Sequence, residues 1–437
     1  MIVMKFGGSS VGNAERIRRA AQIVKSHSGD KPVVVVSGIG GVTDKLIEAA
    51  SSAAKGGSRQ KLSAIIAWHN DIVKQLGLDA GIIGNELTEL AAFGEEIEQS
   101  KALPHATLDK AMSFGERLSA RIFAAYLNST GAEAKAYDAY DLGMLTDSNF
   151  GNADILPVAF SKLRTAFRQI SCIPVVTGFI GKDKEGNITT VGRGGSDYTA
   201  CILGAALRAD EIQIWTNVNG IMTADPKVID DARNIESISY EEEAELEFLG
   251  SKTLHPKGIR PAMENSIPVR ILNTMQPEQE GTLICRDIKE DRRIASITSK
   301  EEIEVICVKN QRKLLENGML LKIIRVLERK GIWIDLILTS KSGVTMTLNQ
   351  SNGADISAVA KELEQLGDVT VKTNMAKISL VGKSITSIEG ISGRILSAVG
   401  SIPIEAISVG GSETSESFIV RQEDAARAIR LLHTEFF

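Results

Sequence analysis

The sequence predicts an α/β protein in two parts: an open, helix-flanked sheet, then a pair of smaller βαββαβ modules. Short apolar runs end in glycine loops that open onto helical stretches, as at Ile2–Phe6 before Gly7-Gly8 and Pro32–Val36 before Ser37-Gly38. These runs are continuously apolar, the pattern of strands buried on both faces of a parallel sheet. Beyond residue 300 the order strand, helix, strand, strand, helix, strand occurs twice, an internal repeat.

The elements follow in order. Ile2–Phe6 is a strand interrupted by Lys5, and Asn13 caps a helix that runs to about His27. A lysine beside Gly7 and Gly8 puts a point charge next to open backbone N–H groups, a phosphate clamp. In isolation it reads equally well as an edge lysine reaching water. Pro32–Val36 is the next strand, and Val42-Thr43-Asp44 opens a helix after Ser37–Gly41. Residues 57–113 read as helical and irregular, with Glu95, Glu96 and Glu98 on a solvated face. A further helix begins at Ser113, which puts Glu116 in a first turn. There an acid balances the helix dipole or holds an ammonium group, and the dipole account is the simpler.

Ile173–Thr177 is a buried strand, and Phe179–Val191 a hairpin turning at Asp183–Asn187. The hairpin delivers the chain to Gly192-Arg193-Gly194-Gly195, and Ser196–Arg208 is helical. Such a turn combines close backbone approach, free helix N–H groups and a planar fork for a carboxylate or phosphate. Glu211–Trp215 is a strand, Tyr240–Leu249 an acidic helix and Pro268–Ile271 another strand. His255 precedes a proline and reads as structural. Arg286–Arg293 is a charge cluster without periodicity, a linker.

Composition bounds the function. The 437 residues are 43% hydrophobic and 24% charged, enough for two or three globular domains. A net charge of −5 argues against a nucleic-acid coat and leaves anionic small substrates to local basic groups. Cys172, Cys201, Cys285 and Cys307 suggest neither a disulfide framework nor a zinc site. With no apolar run of membrane length and no signal peptide, a cytoplasmic protein is expected, without membrane or nucleic-acid partners. Lys5, Arg193, Lys227 and Lys252 all sit beside glycine or turn loops, and no nucleophile–histidine–acid set is visible. That inventory suits phosphoryl transfer, where positioning and charge neutralisation do most of the work.

Five motifs in order carry a resemblance: Lys5–Ser10, Val36–Gly38 with Gly41–Asp44, Phe114–Ser119, Gly192–Ala200 and Lys252–Pro256. Together they resemble aspartokinase, of the amino-acid kinase superfamily, and the C-terminal repeat resembles its paired ACT domains. The resemblance implies an amino-acid-kinase-like open αβα sandwich followed by two ferredoxin-like ACT modules. The implied domains are a catalytic domain at 1–285, a linker at 286–300 and tandem ACT regulatory domains at 301–437. It implies ATP-dependent phosphorylation of the L-aspartate β-carboxylate to 4-phospho-L-aspartate, the first step toward lysine, threonine and methionine, in a monofunctional enzyme. Mg²⁺ would be held mainly by the nucleotide phosphates, with no protein metal ligand. A homodimer or higher homo-oligomer would form through the ACT domains. The alternative is a kinase-like amino-acid sensor without activity, against which Lys5, Arg193 and Asp197 argue.

By residue, the resemblance implies that Lys5, Gly7 and Gly8 hold the transferring phosphate. Ser37, Thr43, Glu116, Arg193 and Ser196 would bind aspartate, with Arg193 on the α-carboxylate and Glu116 on the α-ammonium. Asp197 would orient the lysine and the reacting groups. Thr216, Asn217, Met222, Lys227, Lys252 and Thr253 would line the ATP site. Gly318, Met319, Leu320, Asp335, Thr339 and Ser340 would bind an amino-acid effector, lysine or threonine, with lysine ahead. There are departures: Asn217 and Asn219 stand where the family commonly has Asp, Met222 where it has Tyr, and Lys341 where lysine-inhibited relatives commonly have Glu. At about 4 Å and an effective dielectric of about 20, Lys341 would repel a bound lysine ammonium by roughly 4 kcal/mol, and hardly at all if it points to water. Replacing Lys5 is expected to cost activity but little stability.

Overall fold

The computed structural model describes residues 1–57, 59–250, 254–288, 294–309, 318–349 and 355–437. They form two compact units. The first comprises Met1–Ile221, Asn234–Tyr240 and Lys252–Glu290; the second comprises Met222–Arg233, Glu241–Ser251 and Asp291–Phe437.

The first unit is built on an eight-stranded sheet: β1 (Ile2–Phe6), β2 (Val33–Val36), β3 (Ala134–Tyr137), β4 (Ile173–Thr177), β7 (Glu211–Thr216), β8 (Ser237–Ser239), β9 (Val269–Asn273) and β10 (Thr282–Cys285). A separate hairpin pairs β5 (Ile180–Lys182) with β6 (Ile188–Thr190). The order is β3-β4-β2-β1-β7-β9-β10-β8, and among its pairs only β9 with β10 is antiparallel. From β1 the chain crosses to β2 on one side, and from β7 it moves toward β8 and β9 on the other. The order therefore reverses between β1 and β7, and a crevice beyond their C-terminal ends is where such sheets bind ligands. The β-branched run Val33–Val36 is wholly buried, as the continuous pattern predicts.

The helices of this unit are α1 (Ala14–Ser26), α2 (Val42–Ala53), α3 (Arg59–Gln75), α4 (Gly84–Ser100), α5 (His105–Ser129), α6 (Val158–Phe167), α7 (Gly195–Leu207) and, after a helix α8 (Tyr240–Phe248) that starts at its last residue before the second unit, α9 (Pro256–Glu264). One core joins Met4, Phe6, Val34, Val36 and Val175 of the sheet to Ile17 and Val24 of α1 and Leu118 and Phe123 of α5. A second lies among α2, α3, α4 and α5, around Leu46, Ile65, Phe93 and Phe114. Helix α5 is braced by charge as well: Arg117 pairs with Glu89 at 2.5 Å, Arg121 with Glu86 at 2.6 Å, and Asp138 lies against both arginines.

Here the structure departs from expectation. Helix α5 is one rod of 25 residues, so Glu116 lies midway along it and not in a first turn. The dipole account of Glu116 therefore fails. Gly115, which looked like part of a helix start, allows a close approach: a Cβ there would come within 2.8 Å of Val42 Cγ1.

The second unit holds a six-stranded antiparallel sheet of β11 (Ser296–Lys309), β12 (Trp333–Ser340), β13 (Gly343–Asn349), β14 (Asp368–Val381), β15 (Ala406–Ser408) and β16 (Ser415–Arg421), in the order β12-β13-β11-β14-β16-β15. Its helices are α10 (Met319–Arg329), α11 (Ile356–Leu363), α12 (Ile391–Ala398) and α13 (Gln422–Phe436). The two repeats share this sheet because β11 and β14 run through both, each 14 residues long. The expected strands at 369–371 and 376–381 are one strand. The pairing with β11 shifts register between Lys372 and Met375, where Asn374 takes a positive φ of 55°, and the strand continues through it.

Two stretches inside the expected 1–285 segment pack with this unit. Ala224 and Ile229 join a core with Ile378, Leu380 and Phe418. Thr223 Oγ1 lies 3.0 Å from His433 Nε2, and Ser415 Oγ donates to Glu245 at 2.6 Å. Among the described residues no helix is long and apolar enough to cross a membrane.

Candidate active site

The glycine loops after β1 and β2 lie against each other. A Cβ on Gly8 would sit 2.9 Å from Gly38 O, and one on Gly40 would sit 3.0 Å from Gly8 O. Only bare backbone fits there, and the Gly7 N–H donates to Trp215 O at 3.2 Å. Lys5 is mostly buried there. Its Nζ lies 2.6 Å from Asp197 Oδ1 in the first turn of α7, and a Cβ on Gly7 would be 3.4 Å from that nitrogen. Lys5, Gly7, Gly8 and Asp197 are thus brought together.

Glu116 reaches the same region from α5. It is 3% exposed. Its Oε1 accepts a hydrogen bond from Gly38 N at 2.9 Å, and its Oε2 has no partner among the described residues. Burial raises its pKa to about 7 against the pull of the Gly38 bond. A buried carboxylate with a spare oxygen suits a cationic partner. Ser37 is the residue before Gly38, and Thr43 lies in the first turn of α2.

The Arg193 loop leads into α7, whose first turn carries Asp197. Gly192 and Gly194 have φ of 83° and 68°, which side chains rarely adopt. A Cβ on Gly192 would strike Asn152 Oδ1 at 2.6 Å, and one on Gly194 would strike His255 at 2.7 Å. His255 is structural, since its ring accepts from Lys257 N at 3.3 Å and caps α9. Gly194 caps α7 without a side-chain hydrogen bond, so the N–H groups of that first turn stay available. Arg193 is exposed and has no ion pair among the described residues. Ser196 lies beside the end of β4, where a Cβ on Gly178 would meet its Oγ at 2.5 Å.

Beyond the end of β7, Thr216 Oγ1 donates to Asn217 at 3.3 Å, and Asn273 donates to Asn219 at 2.5 Å. Asn219 is therefore tied to the end of β9. Met222 and Lys227 fall in the second unit, and Lys252 and Thr253 lie outside the described residues.

The chain matches the amino acid kinase family over residues 1–273 and the ACT domain over 378–436. Over its whole length it is 36% identical to aspartokinase 1, chloroplastic, of Arabidopsis thaliana, covering 80% of that protein. The chain belongs to the aspartokinase family. Solved structures of Escherichia coli aspartokinase III agree in fold over the full chain at 30% identity. The complex with lysine and aspartate, covered to 99%, gives a TM-score of 0.85, and that with aspartate and ADP, covered to 100%, gives 0.81. The expected class, an aspartate kinase with an amino-acid kinase domain and ACT modules, stands with that membership.

The expected effector residues of this aspartokinase lie in the second unit. Gly318, at φ 112°, precedes α10; Met319 and Leu320 pack into the core with Ile323 and Val344. Asp335 sits at a break in the β12–β13 register. It already has a cation, for Lys377 Nζ lies 3.1 Å from its Oδ2 with both side chains 6% exposed, while its Oδ1 lacks a hydrogen-bond partner. Thr339 and Ser340 end β12, with Ser340 Oγ donating to Gly343 O at 3.2 Å. Lys341 is exposed in the turn that follows.

Some parts of this aspartokinase's site were missed by sequence reasoning. Ser10 donates to Trp215 O at 3.1 Å and accepts from Thr274 at 2.7 Å, tying the loop after β1 to β7 and the residue after β9. Asp109, 1% exposed, anchors the hairpin that leads to Arg193. The signal available for it is its place seven residues before Glu116, which puts both on one helix face.

Proposed function

We propose that the chain transfers the γ-phosphoryl group of ATP to the β-carboxylate of L-aspartate, giving 4-phospho-L-aspartate, as the first step toward the aspartate-derived amino acids. The observation that supports this reading is the Lys5–Asp197 pair beside the glycine loops after β1 and β2, with buried Glu116 hydrogen-bonded to Gly38 of the second loop and Arg193 four residues before Asp197. Glu116 takes the α-ammonium and Arg193 grips the α-carboxylate with its fork. The β-carboxylate, with an ordinary pKa of about 3.9, is already ionised at neutral pH and needs no general base. Lys5, steered by Asp197, and the N–H of Gly8 neutralise charge on the transferring phosphoryl group, with Gly7 held to Trp215 O as the turn between them. Ser37, Thr43 and Ser196 supply hydroxyls around the substrate. Thr216 and Asn217, at the end of β7, take the nucleotide side. Mg²⁺ enters with ATP as part of that substrate. Among the described residues no three acid, histidine or cysteine side chains converge to hold a metal. ADP release that requires both aspartate and MgATP tests the reading; release unaffected by omitting aspartate contradicts it.

The second unit is proposed to bind a regulatory amino acid and to pair two chains. The complex of the E. coli relative with lysine supports lysine as the effector. Asp335, whose Oδ2 pairs with Lys377 and whose Oδ1 has no hydrogen-bond partner among the described residues, is the acceptor for its ammonium group. The edge strand β12 carries Trp333 at 72% exposure, and an open edge with an exposed aromatic favours a homodimer.

A further inference from the structure

Helix α5 carries a second buried carboxylate on the face that bears Glu116. Asp109 lies seven residues earlier, two turns and about 10 Å along the axis. Its Oδ2 accepts from Thr190 N at 2.7 Å and from Gly151 N at 3.0 Å, and its Oδ1 accepts from Thr190 Oγ1 at 3.0 Å. Thr190 ends β6 three residues before Arg193. Ala153 N donates to Thr190 O at 2.9 Å, and Asn152 of the same loop fills the space over Gly192. Lys257 holds that loop from α9, donating to Asn152 Oδ1 at 2.9 Å and Ala153 O at 3.1 Å. Arg193 has no side-chain partner among the described residues, so its backbone sets where its guanidinium starts. That backbone is tied to α5 at Asp109.

We propose that Asp109 is a positioning residue that fixes, through α5, the separation between Glu116 and Arg193 and so the fit of the amino-acid substrate's two charged ends. This rests on reading Glu116 and Arg193 as the receivers of the ammonium and α-carboxylate. One rigid helix then measures the substrate: it presents the ammonium receptor directly and holds the carboxylate fork through a hairpin. A carboxylate suits this task, because its two oxygens take three donors from two separate chain segments without a cation.

Steady-state kinetics on the full chain test the proposal, with Asp109→Ala, Asp109→Asn, Arg193→Ala and the double substitution Asp109→Ala/Arg193→Ala. Asp109→Ala is expected to raise KM for aspartate about tenfold or more, since small misplacements of a substrate clamp are costly, with KM for ATP changed less than about twofold. Asp109→Asn is expected to restore most of the affinity. Its amide oxygen still accepts both N–H groups, and its NH₂ can donate to the Thr190 hydroxyl. The double substitution is expected to bind aspartate no worse than Arg193→Ala alone, because residues acting as a unit are not additive. Equal rises in both KM values, or full additivity in the double substitution, overturn the role. If Arg193→Ala raises KM for aspartate and Asp109→Ala does not, the positioning role alone falls. If Arg193→Ala leaves that KM unchanged, the reading of the amino-acid site falls and this proposal with it. Should Asp109→Ala fail to fold, Thr190→Val removes one of the three bonds. It should raise KM for aspartate about threefold, and an unchanged KM there overturns the proposal.

Discussion

Lys5 Nζ and Asp197 Oδ1 lie 2.6 Å apart, joining the end of β1 to the first turn of α7, with side chains 10% and 13% exposed. The pair has two consequences. It holds the lysine at the mouth of the glycine loops, and it ties the lysine's charge to the stability of the unit.

Lys5→Ala should lower kcat about a thousandfold, the scale of losing an electrostatic stabiliser at the reacting centre. It should also destabilise the fold by about 3 kcal/mol, because it strands the Asp197 carboxylate. The sequence-based expectation of little stability loss is therefore revised. Adding Asp197→Asn should recover most of the stability and none of the activity. Chemical denaturation and kinetics on the parent and these two variants check both statements.

Arg193→Lys should raise KM for aspartate about tenfold and leave KM for ATP nearly unchanged. Lysine keeps the charge and loses the bidentate fork. A rise confined to the ATP side would put a different ligand on this residue.

Glu116 makes a pH prediction. Its folded pKa is raised by burial to about 7 from 4.5. A carboxyl raised on folding contributes stability fully present below its unfolded value and lost as pH rises through the folded one. In the ligand-free enzyme that loss spans pH 4.5 to about 7 and amounts to about 3 kcal/mol. Glu116→Gln should therefore be more stable than the parent at pH 8, the difference vanishing toward pH 4.5. In the parent, KM for aspartate should climb as pH falls below about 7, where protonation removes the ammonium's partner. Thermal denaturation and kinetics across that range test both, and a flat KM profile contradicts the assignment.

Much of this was legible in the chain. The valine run at 33–36 announced a buried strand, and the paired glycines after β1 and the Gly192–Gly195 loop marked turns where close backbone contacts or a positive φ admit no side chain. Glu116 was harder. Ser113-Phe-Gly115 resembles a helix start, yet Gly115 serves the approach of Val42, a tertiary contact invisible to local pattern. The departure of 222–233 and 241–251 into the second unit was hidden for the same reason: Ala224 and Ile229 declare no partner until Phe418 and Leu380 are placed. Asp109 was hidden because its partners are two backbone N–H groups and one hydroxyl from segments 42 and 81 residues away.

Lys341 bears on regulation. Because it is exposed in the turn after β12, solvent screens it, and its repulsion of a bound lysine should stay below about 1 kcal/mol. Lysine should then inhibit, and Lys341→Glu should shift its inhibition constant by about fivefold or less. Titrating lysine and threonine, singly and together, against both proteins decides. A shift of a hundredfold would show that Lys341 faces the effector.

The central claim is that a carboxylate of aspartate accepts the phosphoryl group. An acyl phosphate reacts with hydroxylamine to give a hydroxamate, so trapping the product in the presence of MgATP and aspartate reads the bond that forms. The account predicts hydroxamate formed in step with ADP, both strictly dependent on aspartate and both lost in Lys5→Ala. ADP released without hydroxamate, or at the same rate without aspartate, would contradict it.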